Sequence, residues 1–216
     1  MHEVIFDVDG TLWDSTEQVA VSWRDTCSRY GIPCEHITGE RLKKEFGKTL
    51  PDIGFSLFPD LPEDEAIRVT QEACDEENAY LLSHPPGVFE EVPGMLAALK
   101  AQGIPVYIVS NCQSGYIEVM LETSGLGHLI DGHLCAGDTG VPKAETLGIA
   151  IEKWKLRSPV YVGDTAGDEA SAVAAGMPFI HAAYGFGTAV RPTCVISSPS
   201  QLPGILDSPE LRKEES

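Results

Sequence analysis

Short uninterrupted runs of apolar residues recur along the chain and predict strands that are buried on both faces. Three runs are clear and two are weaker; in chain order they are residues 3–8, 104–109, 159–162, 177–181 and 194–196. Patterns with helical spacing lie between them, at residues 93–102, 114–124, 144–154 and 168–175. Because apolar runs without alternation are typical of covered parallel sheets, this order predicts an α/β fold with helices on both faces of the sheet.

One segment interrupts the alternation of strands and helices. Residues 15–85 contain helical patterns only, which proline-containing loops join, at residues 16–30, 39–46 and 63–82. We therefore predict two domains. An α/β core comprises residues 1–14 and 86–216, and an all-helical cap domain of residues 15–85 is inserted after the first strand.

The chain is strongly acidic, with 33 Asp and Glu residues against 15 Lys and Arg residues and a formal net charge of −18. This charge disfavours binding to nucleic acids or to anionic membranes, since the phosphates of both would repel the protein. It remains compatible with a small phosphorylated metabolite held in one local basic pocket. Such a metabolite is the partner we expect.

The first residues lack the basic and apolar segments of a secretory signal, and no stretch approaches the roughly 20 apolar residues of a membrane span. The six cysteines are scattered, without the spacing of a zinc site. Scattered cysteines in a chain of this length indicate reduced thiols, which predicts a cytoplasmic protein. A monomer is the expected state, and a dimer is left open.

Two carboxylates stand at the end of the first apolar run. Asp7 and Asp9 are two residues apart, so both side chains point to the same side of an extended chain. Gly10 then permits a sharp turn, and Thr11 supplies a hydroxyl group. Since neighbouring carboxylates repel each other, the pair favours a divalent cation at the sheet edge where α/β proteins bind ligands.

Polar residues also follow the other two clear runs. Ser110 and Asn111 follow one of them, although this pair is equally typical of a helix N-cap. Asp164 and Asp168 follow the other and are four residues apart, so a helix starting there would turn both toward one point. With the first two aspartates they would complete an all-oxygen Mg²⁺ site. Lys143, before a predicted helix, is by itself typical of a solvated lysine.

These four groups of residues, in this order, resemble the motifs of the haloacid dehalogenase-like hydrolase superfamily, in its phosphoglycolate-phosphatase-like branch. The first motif is Asp7-Val8-Asp9-Gly10-Thr11-Leu12, and the others are Ser110, Lys143 and Asp164-x-x-x-Asp168. That branch carries a small helical cap between its first and second motifs. Many members place the lysine directly before a proline, whereas here Pro142 precedes Lys143. The resemblance implies a Rossmann-like core with a cap.

The resemblance also implies a Mg²⁺-dependent phosphatase that works through an aspartyl-phosphate. Asp7 would be the nucleophile, and Asp9 would protonate the leaving oxygen and later activate water. The implied cofactor is Mg²⁺, bound by Asp7, by the backbone carbonyl of Asp9 and by Asp164. Asp168 would either support these ligands without touching the metal or bind it through a water molecule. The implied phosphate-binding residues are Thr11, Ser110, Asn111 and Lys143.

Other functions fit the same motifs. A phosphosugar mutase on this scaffold would return the phosphoryl group to the substrate instead of to water. A non-catalytic module that binds phosphorylated ligands would be expected if one motif were broken, but all four are present. A metal-free 2-haloacid dehalogenase is disfavoured, because it has no need of the second acid, Asp9.

Basic residues cluster in the predicted cap. Arg41, Lys43, Lys44 and Lys48 fall within eight positions, and residues 41, 44 and 48 would share one face of a helix. One interpretation is a solvated face balanced by neighbouring glutamates. The functional hypothesis is that Arg41, Lys44 and Lys48 face the catalytic aspartates and recognise an anionic leaving group, which would determine substrate specificity.

Overall fold

Six parallel strands form one sheet in the computed structural model, which describes residues 2–211. The strands are β1 (Glu3–Phe6), β2 (Val106–Ser110), β3 (Gly132–Cys135), β4 (Pro159–Gly163), β5 (Phe179–Ala182) and β6 (Cys194–Ile196). Their spatial order is β3-β2-β1-β4-β5-β6. The sheet confirms the predicted α/β fold and its five predicted strands. Residues 212–216, which we assigned to the core, lie outside the described residues.

The sequence did not predict β3. This strand pairs with β2 at one edge of the sheet. Its first two residues, Gly132 and His133, are only half-buried, and Leu134 is its one large aliphatic side chain. An edge strand needs no continuous apolar run, because one side of its backbone has no strand to pair with.

The inserted segment, residues 15–85, forms four helices, and the structure describes all of it. They are α1 (Thr16–Arg29), α2 (Gly39–Leu42), α3 (Leu50–Leu57) and α4 (Glu63–Ser83). The long helices α1 and α4 pack against each other, and α3 packs against α4. Each buries an apolar stripe, which in α1 includes Val19 and Trp23.

Two helix bounds in this segment differ from the prediction. The helix expected over residues 39–46 ends at Leu42, where turns follow, and the helix α3 was expected to be a loop because of Pro51. Proline is compatible with the first turn of a helix, where its missing N–H has no partner to lose. Thr49 caps this helix, since its side chain accepts a hydrogen bond from the Asp52 N–H.

Helices cover both faces of the sheet. Those of the core are α5 (Val92–Ala101), α6 (Tyr116–Ser124), α7 (Ala136–Thr139), α8 (Lys143–Trp154), α9 (Ala166–Ala174) and α10 (Leu202–Ile205). Successive residues of β1 point to opposite faces. Val4 and Phe6 join the apolar core that includes residues of α5, α6 and the inserted helices, whereas Ile5 packs with residues of α8 and α9.

The topology brings the carboxyl ends of β1, β2 and β4 together, because β1 pairs with both of the others in parallel. The residues that follow these strands therefore share one edge of the sheet. None of the helices within residues 2–211 combines the length and the apolar character needed to cross a membrane.

Candidate active site

The predicted aspartates lie at this carboxyl edge. Asp7 follows β1 and is 2% exposed, and Asp164 follows β4 and is fully buried. Ser110 is the last residue of β2 on the other side of β1. β1 and β4 are neighbours from which the strand order runs outward in both directions, and such a switch point is where open α/β sheets bind ligands.

A buried lysine joins two of the aspartates. The Lys143 Nζ lies 2.8 Å from Asp7 Oδ1 and 2.5 Å from Asp168 Oδ1, and the side chain is 1% exposed. Burial disfavours the charge of Lys143, but the carboxylates of Asp168 and Asp7 outweigh it and raise its pKa. Lys143 therefore stays an ammonium ion. The reversed order of Pro142 and Lys143, compared with many members of the superfamily that the motifs resemble, does not prevent these contacts.

Asp168 uses both carboxylate oxygens within the protein. Its Oδ1 accepts from Lys143, and its Oδ2 accepts from the backbone N–H of Thr165 at 3.0 Å and from the Thr165 hydroxyl at 2.6 Å. The Thr165 side chain in turn accepts from the Asp168 N–H, which completes a capping box at the start of α9. Asp168 thus positions Lys143 and starts a helix at the same time.

Asp164 keeps one oxygen free of protein donors. Its Oδ2 accepts from the backbone N–H groups of Phe186 and Gly187, at 2.7 and 3.3 Å. Its Oδ1 is buried without a hydrogen-bond partner among residues 2–211. Burial raises the pKa of Asp164 to about 8, and the charges of Asp168 and Asp7 add to the shift. A buried carboxylate oxygen in this state requires a cation or a proton.

The three carboxylates are close enough to share a cation. Asp7, Asp164 and Asp168 each offer an oxygen, and these oxygens lie within 4.8 Å of one another. All-oxygen donors suit Mg²⁺, and the unpartnered Oδ1 of Asp164 is the atom that most needs it. Gly10 makes room for this arrangement: its φ is 77°, and a Cβ there would lie 2.3 Å from Asp164 Oδ2.

The two later aspartates should respond differently to substitution. We expect Asp164→Asn to weaken Mg²⁺ binding at least about 100-fold, because it removes the carboxylate with a free oxygen. Asp168→Asn should instead lower the free energy of unfolding by about 2 kcal/mol, because it weakens a helix cap and a buried ion pair. Titration calorimetry with Mg²⁺ and denaturant unfolding measure the two effects. A stronger loss of Mg²⁺ binding in Asp168→Asn would contradict the assignment.

Asp9 points into a different environment from the other aspartates. Its Oδ1 accepts hydrogen bonds from the Trp13 indole at 3.0 Å and from the hydroxyls of Ser15 and Tyr116, each at 2.8 Å. Burial raises the pKa of Asp9 to about 7, even though the Tyr116 hydrogen bond opposes the shift. An acid with a pKa near neutrality can both give and take a proton. Only its backbone carbonyl is expected to serve the metal.

The predicted phosphate-binding hydroxyls are those of Ser110, which interacts with Asp7, and Thr11. Ser110 is 6% exposed, and its side chain is hydrogen-bonded to Asp7. Burial and the charge of Asp168 raise the pKa of Asp7, whereas Lys143 and the Ser110 hydrogen bond oppose this shift. Thr11 is fully buried, and its Oγ1 has no hydrogen-bond partner within residues 2–211. The Thr11 hydroxyl therefore has its donor free, whereas the Ser110 hydroxyl would have to turn away from Asp7 to bind an oxygen of a ligand.

The amide of Asn111 is engaged by the protein. Its Nδ2 donates to the Gly47 carbonyl at 2.9 Å, and its Oδ1 accepts from the Lys143 backbone N–H at 2.8 Å. The side chain predicted to bind phosphate thus joins the inserted helical segment to the start of α8. Its contact with Lys143 is with the backbone of that residue, and its part in binding phosphate stays a prediction.

The basic residues do not form the expected helical face. Because α2 ends at Leu42, Arg41 is helical but Lys44 and Lys48 are not. The prediction that these three residues share one face of a helix is therefore wrong. Arg41 Nε and Lys48 Nζ instead lie 3.0 and 2.6 Å from the two oxygens of Glu45, which is 3% exposed. Neutralising this buried carboxylate is their visible role. Lys44 is exposed and lines an open cleft beside Lys143, and its part in specificity stays a prediction.

A small cavity lies between the helical insertion and the core, next to Asp9. Its volume is about 40 Å³, which is room for a few water molecules. The lining includes these polar residues: Asp9, Lys48, Glu77, Ser110, Gln113 and Tyr116. Arg41 lines a separate cavity, so it does not face the aspartates as predicted.

Several residues of the site had not been identified from the sequence. Thr165 could have been found, since Thr165-x-x-Asp168 has the spacing of a capping box. The loop at Phe186, whose backbone N–H donates to Asp164, was likewise not identified. No sequence signal pointed to Tyr116 or Glu77, because both approach Asp9 from segments distant in the chain.

Comparisons with known proteins agree with this geometry. A family model described as haloacid dehalogenase-like hydrolase matches residues 4–182. A phosphoglycolate phosphatase of Yersinia pseudotuberculosis serotype I (strain IP32953) is 26% identical in an alignment 225 positions long, which covers 98% of this chain and 96% of that protein. That of Escherichia coli (strain K12) is 24% identical in an alignment 251 positions long, which covers 99% of this chain and 95% of that protein. The similarity thus extends over the whole chain.

Solved structures have the same fold. A Bacteroides fragilis protein assigned to the haloacid dehalogenase-like hydrolases superposes with a TM-score of 0.81 at 27% identity, covering 92% of this chain and 98% of that one. A Clostridium acetobutylicum protein described as a predicted phosphatase gives a TM-score of 0.80 at 23% identity, covering 95% and 97%. The sheet and the inserted helices therefore correspond to a known architecture.

Proposed function

Because the chain belongs to the haloacid dehalogenase-like hydrolases, we propose that it is a Mg²⁺-dependent phosphatase that hydrolyses small phosphate monoesters through an aspartyl-phosphate on Asp7. The observation that carries the proposal is the contact of Asp7 with Lys143, 2.8 Å apart, beside two further buried aspartates. The names of the phosphoglycolate phosphatases to which the chain is similar support it.

In the first step, Asp7 attacks the phosphorus atom of the ester. Lys143 holds Oδ1, so Oδ2 is the oxygen that forms the new bond to phosphorus. The bond between phosphorus and the ester oxygen breaks, and Asp9 gives its proton to that oxygen. The raised pKa of Asp9, about 7, keeps this proton available near neutral pH.

In the second step, water hydrolyses the phosphoenzyme. Asp9, now a carboxylate, takes a proton from the attacking water, which releases phosphate and restores Asp7. Bound Mg²⁺ would neutralise charge between the carboxylates and the phosphoryl oxygens. Lys143 supplies a second positive charge, and Ser110 and Thr11 donate hydrogen bonds to the phosphoryl group.

We also propose that residues 15–85 act as a cap over the core formed by residues 1–14 and 86–216. The contacts between them include two hydrogen bonds: the Asn111 amide donates to the Gly47 carbonyl at 2.9 Å, and the Asn78 amide donates to the Ser114 carbonyl at 3.0 Å. Together with the apolar residues that the inserted helices share with the core, these contacts place the cap where it would cover a substrate and exclude bulk water.

Release of inorganic phosphate from a panel of phosphate esters, with Mg²⁺ or with EDTA, tests the proposed function. We expect release that depends on Mg²⁺ and is abolished by EDTA. Conversion of a sugar phosphate to its isomer without phosphate release would indicate a mutase instead. Binding of esters without either reaction would indicate a module that only binds phosphorylated ligands.

Replacing Asp9 by asparagine should separate the two steps. The amide cannot donate the carboxyl proton or activate water, so we expect kcat to fall by about 10²–10⁴-fold. Asp7 remains able to attack an ester with a good leaving group such as p-nitrophenol. A phosphoenzyme should therefore accumulate in Asp9→Asn, and acid-quenched intact-mass measurements would detect it. Unchanged turnover in this variant would remove Asp9 from the mechanism.

A further inference from the structure

Glu77 is a buried carboxylate that the mechanism above does not use. It lies on α4 of the inserted segment, is 3% exposed and lines the cavity next to Asp9. The Trp23 indole N–H donates to its Oε2, and the Gln113 amide donates to its Oε1. Each carboxylate oxygen accepts more than one hydrogen bond, so Glu77 keeps capacity for a further donor.

We place the leaving group in the cavity that Glu77 lines. Asp9 lines the same cavity, and Asp9 is the residue that protonates the ester oxygen in the proposed reaction. Whatever is attached to that oxygen would then contact residues that line this cavity, among them Glu77. The cavity volume is about 40 Å³, so a compact leaving group of a few heavy atoms fits it best.

The charge of this cavity is unfavourable for an anion. Asp9 and Glu77 both line it, and their charges are near enough for Glu77 to raise the pKa of Asp9. Lys48 is the cationic residue that lines it within residues 2–211, and its Nζ lies 2.6 Å from the buried Glu45. The hydrogen-bond donors to Glu77 within residues 2–211 are the neutral Trp23 indole and Gln113 amide, so a carboxylate placed beside Glu77 would meet a negative charge without a paired cation.

We propose that Glu77 is a specificity-determining residue, which accepts a hydrogen bond from a hydroxyl or ammonium group of the leaving group and excludes leaving groups that carry a carboxylate. The inference rests on the proposed phosphatase activity and narrows its substrates to esters of small alcohols that bear a hydrogen-bond donor. For Arg41 and Lys48, which pair with Glu45, it also replaces the expectation that they recognise an anionic leaving group.

This selectivity would distinguish the chain from the relatives to which it is similar. Those relatives carry the name phosphoglycolate phosphatase, and the alcohol that phosphoglycolate releases bears a carboxylate. A buried carboxylate rejects such a group through charge repulsion, and the group offers no hydrogen-bond donor to the oxygens of Glu77. Shared catalytic residues do not fix the substrate, because they contact the phosphoryl group alone.

Three esters of similar size test the inference: phosphoglycolate, O-phosphoethanolamine and glycerol 3-phosphate. For the wild-type protein with Mg²⁺ at about pH 8, we expect kcat/KM for phosphoglycolate to be lower than for the better of the other two by about 100-fold or more. Phosphoethanolamine and glycerol 3-phosphate then distinguish an ammonium from a hydroxyl donor. Hydrolysis of phosphoglycolate at least as efficient as that of the other two would overturn the proposal.

Variants of Glu77 identify the residue responsible. Glu77→Gln removes the charge at nearly constant size and should narrow the preference by about tenfold or more, through KM more than kcat. Glu77→Asp keeps the charge and should keep the rejection of phosphoglycolate. Glu76→Gln is the matched control, since Glu76 lies on the same helix but is exposed. An equal effect of Glu77→Gln on all three esters would mean a purely structural role and would overturn the proposal.

A binding measurement separates this inference from the proposed function. Asp7→Asn cannot form the phosphoenzyme, so calorimetry with this variant reports binding of the intact esters. Tighter binding of glycerol 3-phosphate or phosphoethanolamine than of phosphoglycolate would support the role of Glu77 even if the wild-type protein hydrolysed no ester. Binding without that preference, alongside normal turnover, would overturn the inference and leave the phosphatase intact.

Discussion

Replacing Asp7 by asparagine should lower kcat by at least about 10⁴-fold, because an amide cannot form the acyl-phosphate on which both steps depend. The remaining charges of the site stay in place, so ester binding should survive. Phosphate release measured under single-turnover conditions would quantify the loss. Residual Mg²⁺-dependent turnover above roughly a hundredth of the wild-type rate would exclude Asp7 as the nucleophile.

The same substitution should leave the fold intact. Burial and the neighbouring Asp168 raise the pKa of Asp7, which means that its charge is not favoured by the folded state. Lys143 keeps its 2.5 Å contact with Asp168 when Asp7 becomes neutral. The denaturant midpoint of Asp7→Asn should therefore match that of the wild type, and Asp25→Asn, at an exposed position of α1, is the matched control.

Replacing Lys143 by methionine should damage both stability and activity. The ammonium group is the partner of two buried carboxylates, Asp7 and Asp168, and methionine fills similar space without the charge. We expect the free energy of unfolding to fall by about 3–5 kcal/mol, because buried carboxylates lose their partner. We expect kcat to fall by about 10²–10³-fold, because a charge that stabilises the phosphoryl group is absent.

Two comparisons make the test of Lys143→Met specific. Lys153→Met, on the same helix but exposed, should change neither denaturant unfolding nor phosphate release. Saturating Mg²⁺ should restore part of the lost stability of Lys143→Met, since a cation bound by the same carboxylates replaces some of the missing charge. Wild-type stability of Lys143→Met without Mg²⁺ would show that the contacts with Asp7 and Asp168 do not stabilise the fold.

The local pattern of the chain was sufficient to predict the fold class. Runs such as residues 159–162 are apolar because strands covered on both faces must be, and this requirement is local to each run. Placing the carboxylates of Asp7 and Asp164 at one edge followed from the same reasoning, since parallel strands end at the same side. The prediction failed at β3 and α3, where an edge strand lacks an apolar run and a proline starts a helix instead of ending one.

Which side chains meet around these aspartates was decided by the tertiary structure. Glu77, Gln113 and Tyr116 come from α4, from the loop after β2 and from α6, and no local pattern relates them to Asp9. The same holds for Lys48. From the sequence, its charge was expected to recognise an anionic leaving group, but in the structure it pairs with the buried Glu45. Local sequence determines periodicity, turns and burial, because these depend on neighbours along the chain. Charge pairing and cavity lining depend on distances between remote segments, which are fixed only when the helices pack.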